Sequence, residues 1–151
     1  MFVLGDGQTA YFDVDNTLVI WEKDINKALY GSKHLLSTSV EKEEEYIKVH
    51  NNGHDFYFRP IKVHVNQLIQ QKLKGLKVVV WSASGASWAS SVISALKLNE
   101  YVDVILTKPN FYYDDREAAH FMPTRYFWAE DEIKLENDKM TLPKFVHNED
   151  K

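Results

Sequence analysis

The stretch Ala10-Tyr11-Phe12-Asp13-Val14-Asp15-Asn16-Thr17 carries the pattern that decides the fold. Its first half is short, apolar and aromatic, which predicts a buried strand. Its second half is polar and closes that strand. Two carboxylates two residues apart on a regular strand point the same way. At a strand end that turns into a loop, Asp13 and Asp15 can instead flank one reaction centre.

The strands downstream follow the same plan. Val78-Val79-Val80-Trp81 reads as a second buried strand and Val102 to Leu106 as a third. Phe111-Tyr112-Tyr113 reads as a short fourth strand. Val65, Leu68, Ile69 and Leu73 fall on one face at helical spacing, with Gly75 as a stop. Trp88, Val92, Ile93 and Leu96 line the apolar side of a second helix. Tyr46 to Val49 and Phe56 to Phe58 flank Asn51-Asn52-Gly53, a hairpin whose turn residues tolerate positive φ. Strands alternating with helices predict an α/β fold: a Rossmann-like parallel sheet with helices on both faces and a small β-hairpin insert at about residues 40–60. Arg125 to Trp128 suggests a further strand, and the segment Glu130 to Lys139 is charged and mixed.

The bulk numbers agree with one domain over residues 1–151. The chain is 44% hydrophobic, enough for a real core. Its net charge of -4, from 18 basic and 22 acidic residues, leaves no footprint for tight duplex binding. With no cysteine, disulfides, thiolate metal sites and cysteine nucleophiles are excluded. No apolar run approaches the roughly 20 residues of a membrane span, so a cytoplasmic protein without a membrane partner is expected. The six histidines are scattered without zinc-ligand spacing and read as surface or packing residues. The run Glu41 to Glu45 reads as a solvated face.

In open α/β sheets, sites lie at the carboxyl ends of the strands. Asp13 to Thr17, Ser82 to Ser84, Thr107-Lys108 and Asp114-Asp115 are predicted to meet at one edge. Such a set suits phosphoryl chemistry. One carboxylate attacks phosphorus, and the other protonates the leaving oxygen and then activates water. Thr17 is placed to fix the second carboxylate, Lys108 to give a fixed positive charge, and Ser82 to hold a phosphate oxygen. Ser84-Gly85-Ala86 opens the second helix, so its backbone N–H groups are expected to face the anion. A hard divalent cation, Mg²⁺, is expected to neutralise the crowded negative charge, with Asp114-Asp115 offering a further ligand.

These segments also resemble a known family. Phe12-Asp13-Val14-Asp15-Asn16-Thr17-Leu18-Val19 looks like the first signature of the haloacid dehalogenase (HAD) superfamily, an apolar strand followed by Asp-x-Asp-x-Thr. Val78 to Ser82, Lys108 in Thr-Lys-Pro, and Tyr112 to Asp115 resemble the second, third and fourth signatures in order. The resemblance spans residues 10 to 115. It implies a phosphatase with Asp13 as nucleophile, Asp15 as acid/base, and Mg²⁺ held by Asp13, the Asp15 carbonyl and Asp114. Asp115 then supports Lys108 or binds metal through water. The second Asp of the first signature is absent from the family's dehalogenases, so its presence argues for phosphoryl transfer.

The chain departs from the pattern in two places. The fourth signature is an adjacent Asp114-Asp115 pair, and the excursion after the first signature leaves no room for a large helical cap. The compact build is similar to small HAD proteins encoded by bacteriophages. The expected substrate is a nucleotide or a phosphorylated nucleic-acid end. A catalytically silent HAD-fold binding module and a phosphotransferase are the alternatives. Trp21, and His50 or His54 on the hairpin, are the candidate substrate contacts, while the hairpin aromatics Tyr46, Phe56, Tyr57 and Phe58 suit either base stacking or core packing.

Overall fold

The computed structural model describes residues 1–21, 46–127 and 144–147. The acidic run at 41–45 and the mixed segment at 130–139 lie outside the described residues.

Strand β1 (Thr9–Asp13) lies beside β5 (Lys77–Ser82), and β5 lies beside β6 (Val104–Thr107), all parallel. The register sets Phe12 opposite Val80, Asp13 opposite Trp81, and Ser82 opposite Thr107. The carboxyl ends of all three strands therefore finish together. Helix α1 (Lys62–Leu73) leads into β5, and α2 (Ala86–Ala95) joins β5 to β6. The chain is thus a mixed α/β fold built on a parallel three-stranded sheet.

The valine run of β5 explains its central place. Val78, Val79 and Val80 are all buried, as suits a strand paired on both edges. Alternation puts Val78 and Val80 on one face. They share a core cluster with Leu68 of α1 and with Ala89, Val92 and Ile93 of α2. Each fully buried side chain of this kind contributes roughly 1.5–3 kcal/mol.

The expected helices on both faces need correction. The chain steps in one direction across the sheet, from β1 to β5 to β6. Leu68 of α1 and Ala89, Val92 and Ile93 of α2 share one cluster with Val78 and Val80, which lie on the same face of β5. Covering the opposite face needs a reversal, and the described residues of this sheet contain none. The expected fourth strand is also corrected. Phe111, Tyr112 and Tyr113 form no strand; they follow Pro109, pair with no sheet, and stand exposed, Tyr113 at 94%. An apolar run needs a neighbouring edge to become a strand, and this one pairs with neither edge of the parallel sheet.

A second, antiparallel sheet runs in the order β2 (Val19–Trp21), β4 (His54–Pro60), β3 (Ile47–Asn51). Its hairpin turns at Asn52-Gly53, with φ of 51° and 77°. Both values are positive, which is why Asn-Gly serves here. The hairpin docks on α2 through Asn51, whose Nδ2 donates to Ser91 Oγ at 2.9 Å. Val49 and Phe58 reach the core cluster.

Asp103 secures the approach to β6. It accepts from Lys72 Nζ at 2.7 Å and from the Val78 N–H at 2.8 Å. The lysine, with that N–H, holds its carboxyl below the ordinary value of 3.8. The short helix α3 (Ala118–Phe121) precedes β7 (Thr124–Phe127), which pairs antiparallel with β8 (Lys144–His147). The strand suggested near Arg125 is therefore present. No described helix is long and apolar enough to cross a membrane.

Candidate active site at the strand ends

The turn after β1 is wound tightly. The N–H groups of Thr17, Leu18 and Val19 all donate to the Val14 carbonyl, at 3.2, 2.9 and 3.2 Å. Asn16 takes φ of 62°, a conformation that Asn adopts more readily than most residues. Val14 and Leu18 are fully buried, so they pin the turn to the core. His64 of α1, itself buried, donates Nδ1–H to the Thr17 carbonyl at 2.7 Å. Burial pushes the His64 pKa below its ordinary 6.5, against the pull of that hydrogen bond.

This turn sets two carboxylates at one edge in different surroundings. Asp13 accepts from Lys108 Nζ at 3.0 Å on one oxygen and from Thr17 Oγ1 at 3.1 Å on the other. Thr17 thus fixes the first carboxylate, correcting the expectation that it would hold Asp15. Asp15 is held from α2 instead. Trp88 Nε1 donates to its Oδ1 at 3.2 Å, and Ser84 Oγ approaches its Oδ2 at 3.4 Å. Burial raises the Asp15 pKa above 3.8; the Trp88 bond opposes this and the Asp13 charge adds to it. One acid is therefore paired with a cation while its neighbour is biased toward its protonated form, the division that acid/base chemistry requires.

Ser82 is fully buried at the end of β5. Its Oγ accepts from the Ser84 N–H at 3.0 Å, and its carbonyl accepts from Gly85 and Lys108 N–H at 3.2 and 2.9 Å. Thr107 Oγ1 accepts from the Ala86 N–H at 2.9 Å. The N–H groups of Ser84, Gly85 and Ala86 are all committed inside the protein, which corrects the expectation that they face an anion. Gly85, at φ of 112°, shapes the entry to α2. The cation that reaches this edge is the side chain of Lys108. That lysine is fixed by the Ser82 carbonyl at its backbone, and its Nζ lies 5.8 Å from the Trp81 ring centre.

Asp114 and Asp115 stand exposed. Asp114 Oδ1 accepts from the Arg116 N–H at 2.9 Å, the role of a turn cap. Among the described residues, no three His, Cys, Asp or Glu side chains gather closely enough to hold a metal ion. Hydrogen bonds and an ion pair tie Asp13 to Thr17 and Lys108 and Asp15 to Ser84 and Trp88, with Ser82 bonded to the Ser84 N–H beside them. Mg²⁺ needs only one or two carboxylates when it keeps several waters and takes substrate phosphate oxygens. The hard oxygen donors Asp13 and Asp15 fit that requirement.

Beside Asp15 opens a cleft of about 510 Å³ between the hairpin and α2. Trp21, Phe56, Phe58 and Trp88 form its apolar wall, and Asn51, Asn52 and His54 its outer rim. The rings touch in sequence. Phe56 meets Trp88 edge-on at 5.6 Å, Phe58 lies 5.3 Å from both Trp88 and Trp21, and His54 lies 6.3 Å from Phe56. Phe58 is buried, whereas Trp21 remains 43% exposed. His50 instead pairs with Asp55 at 2.7 Å on the surface.

Trp88 is the residue that sequence reasoning placed only among core residues. A tryptophan N–H needs a partner once buried, which is a signal for some acceptor, but nothing local names Asp15 as that acceptor. Comparison of this chain with protein-family models, curated proteins and solved structures finds no match.

Proposed function

We propose that this protein is a phosphomonoester hydrolase of the HAD type, working through an aspartyl-phosphate on Asp13. The observation that carries the reading is the unequal pair of carboxylates: Asp13 held by Lys108 and Thr17, and Asp15 held apart by Trp88 with its pKa raised.

Asp13 attacks phosphorus with a carboxylate oxygen, and the ester P–O bond breaks. Protonated Asp15 gives its proton to the departing oxygen. Asp15, now ionised, takes a proton from water as that water attacks the aspartyl-phosphate. The bond to Asp13 breaks, and inorganic phosphate and the Asp13 carboxylate are restored. Thr17 fixes the rotamer of the nucleophile. Lys108 balances the charge gathered between substrate and carboxylates. Asp13 and Asp15 are the residues that would hold Mg²⁺, which when bound supplies further charge neutralisation to the phosphoryl oxygens.

The test is phosphate release with Mg²⁺ from nucleoside monophosphates, phosphorylated oligonucleotides and sugar phosphates, for wild type and Asp13→Asn. Release by the wild type and loss in the variant support the assignment. Equal release by both removes Asp13 as nucleophile. Transfer to an added alcohol in place of release makes the protein a phosphotransferase.

A further inference from the structure

The cleft beside Asp15 has features that the phosphoryl chemistry does not use. Its volume of about 510 Å³ lies within the common range for small-molecule sites. It is layered from inside outward. Asp15 comes first, then Trp88 bonded to it, then Phe56 against Trp88, and then the amide and imidazole side chains at the hairpin turn. Trp21 faces this path from β2, 6.1 Å from Phe56.

We infer that this cleft binds a nucleobase, so that the leaving group released at Asp15 is a nucleoside. The position of the leaving group rests on the hydrolase reading above; the base site itself rests on the cleft. Asp15 hands its proton to the leaving oxygen, so whatever that oxygen carries extends into the space that Asp15 lines. The aromatic wall starts at Trp88, bonded to Asp15, and runs outward through Phe56 toward His54 at the hairpin turn, a span longer than one ring. A sugar phosphate alone leaves that wall unfilled. A flat ring with donors and acceptors on its edge suits both the wall and the rim. Asn51 has its Nδ2 engaged by Ser91, which leaves its carbonyl as an acceptor for a ring amino group. Asn52, exposed on the turn, offers both a donor and an acceptor. Stacking on aromatic side chains tolerates any base, so the wall gives affinity and the rim gives preference.

Calorimetric titration with unphosphorylated nucleosides tests this without any catalytic step. Wild type should bind them, and Trp21→Ala should weaken binding roughly tenfold. Trp21 is partly exposed, so this change leaves the core intact. Phe56→Leu, which keeps the wall apolar, should weaken binding in the same direction. Failure of every nucleoside to bind wild type, or equal binding by wild type and both variants, overturns the base site. Turnover of ribose 5-phosphate with the same KM as nucleotides also overturns it. Nucleoside binding without phosphate release from any substrate keeps the base site and removes the hydrolase. A short oligonucleotide that binds more tightly than its end nucleoside assigns the base to a nucleic-acid strand, and equal affinity assigns it to a mononucleotide.

Discussion

Asp13 and Asp15 are two residues apart, yet their partners make them different acids. Replacing Asp15 by Asn should cut turnover by about 10²-fold or more, because no proton reaches the leaving oxygen. The same variant should melt at a higher temperature than wild type at neutral pH. A carboxyl whose folded pKa is raised contributes stability below the ordinary 3.8 and loses it as pH rises through the folded value. At neutral pH the wild type therefore bears that loss, and Asn does not. Trp88→Phe isolates the indole N–H while keeping a ring in place. That N–H holds the Asp15 pKa down against burial, so its removal lets the pKa rise further. The alkaline limb of the kcat/KM profile should move to higher pH. An unmoved limb would separate Trp88 from the acid. Removal of divalent cations with EDTA should silence phosphate release, and Mg²⁺ should restore it; full activity in EDTA would end the metal role given to Asp13 and Asp15.

Between elements, the turn after β1 is held from α1 by the buried His64. That imidazole is neutral in the folded protein, with a pKa below the 6.5 of the unfolded chain. Its contribution to stability is complete above 6.5 and is lost as pH falls through the folded value. Urea midpoints should thus decline as pH drops below 6.5, and His64→Asn should flatten that decline. Asn retains an N–H for the Thr17 carbonyl but cannot titrate. An unchanged slope would place the acid sensitivity elsewhere. The hairpin and the strand-end turn were legible at this scale because each depends on local chemistry. Asn52-Gly53 supplies two positive φ values, and Asn16 supplies one. The failed strand at Phe111 to Tyr113 was not, because strand formation depends on a neighbouring edge that no local pattern records.

For the molecule as a whole, stability centres on the seam where both long helices meet β5. Leu68 is fully buried there. Leu68→Ala should cost about 2–5 kcal/mol and lower the melting temperature by several degrees, as read by calorimetry. A loss under 1 kcal/mol would mean that the seam collapses to fill the gap. The parallel sheet was legible from the valine run and the alternation of apolar segments. The placement of both helices on one face was not, because strand order is a property of pairing rather than of composition. The site divides along the same line. Asp13, Asp15, Thr17, Ser82 and Lys108 sit at ends that the strand pattern marks. The Trp88 bond comes from tertiary geometry alone, whereas the cap by Asp114 is local, reaching the N–H two residues on.

Helix α2 serves two masters. Through Trp88 it grips the acid, and through Ser87 and Ser91 it grips Asn51 at the tip of the hairpin. Among the described residues, both sides of the cleft are thereby tied to one helix. The nucleoside proposed for this cleft would then meet a mould already cast, and its affinity should carry little entropic toll for closing a door.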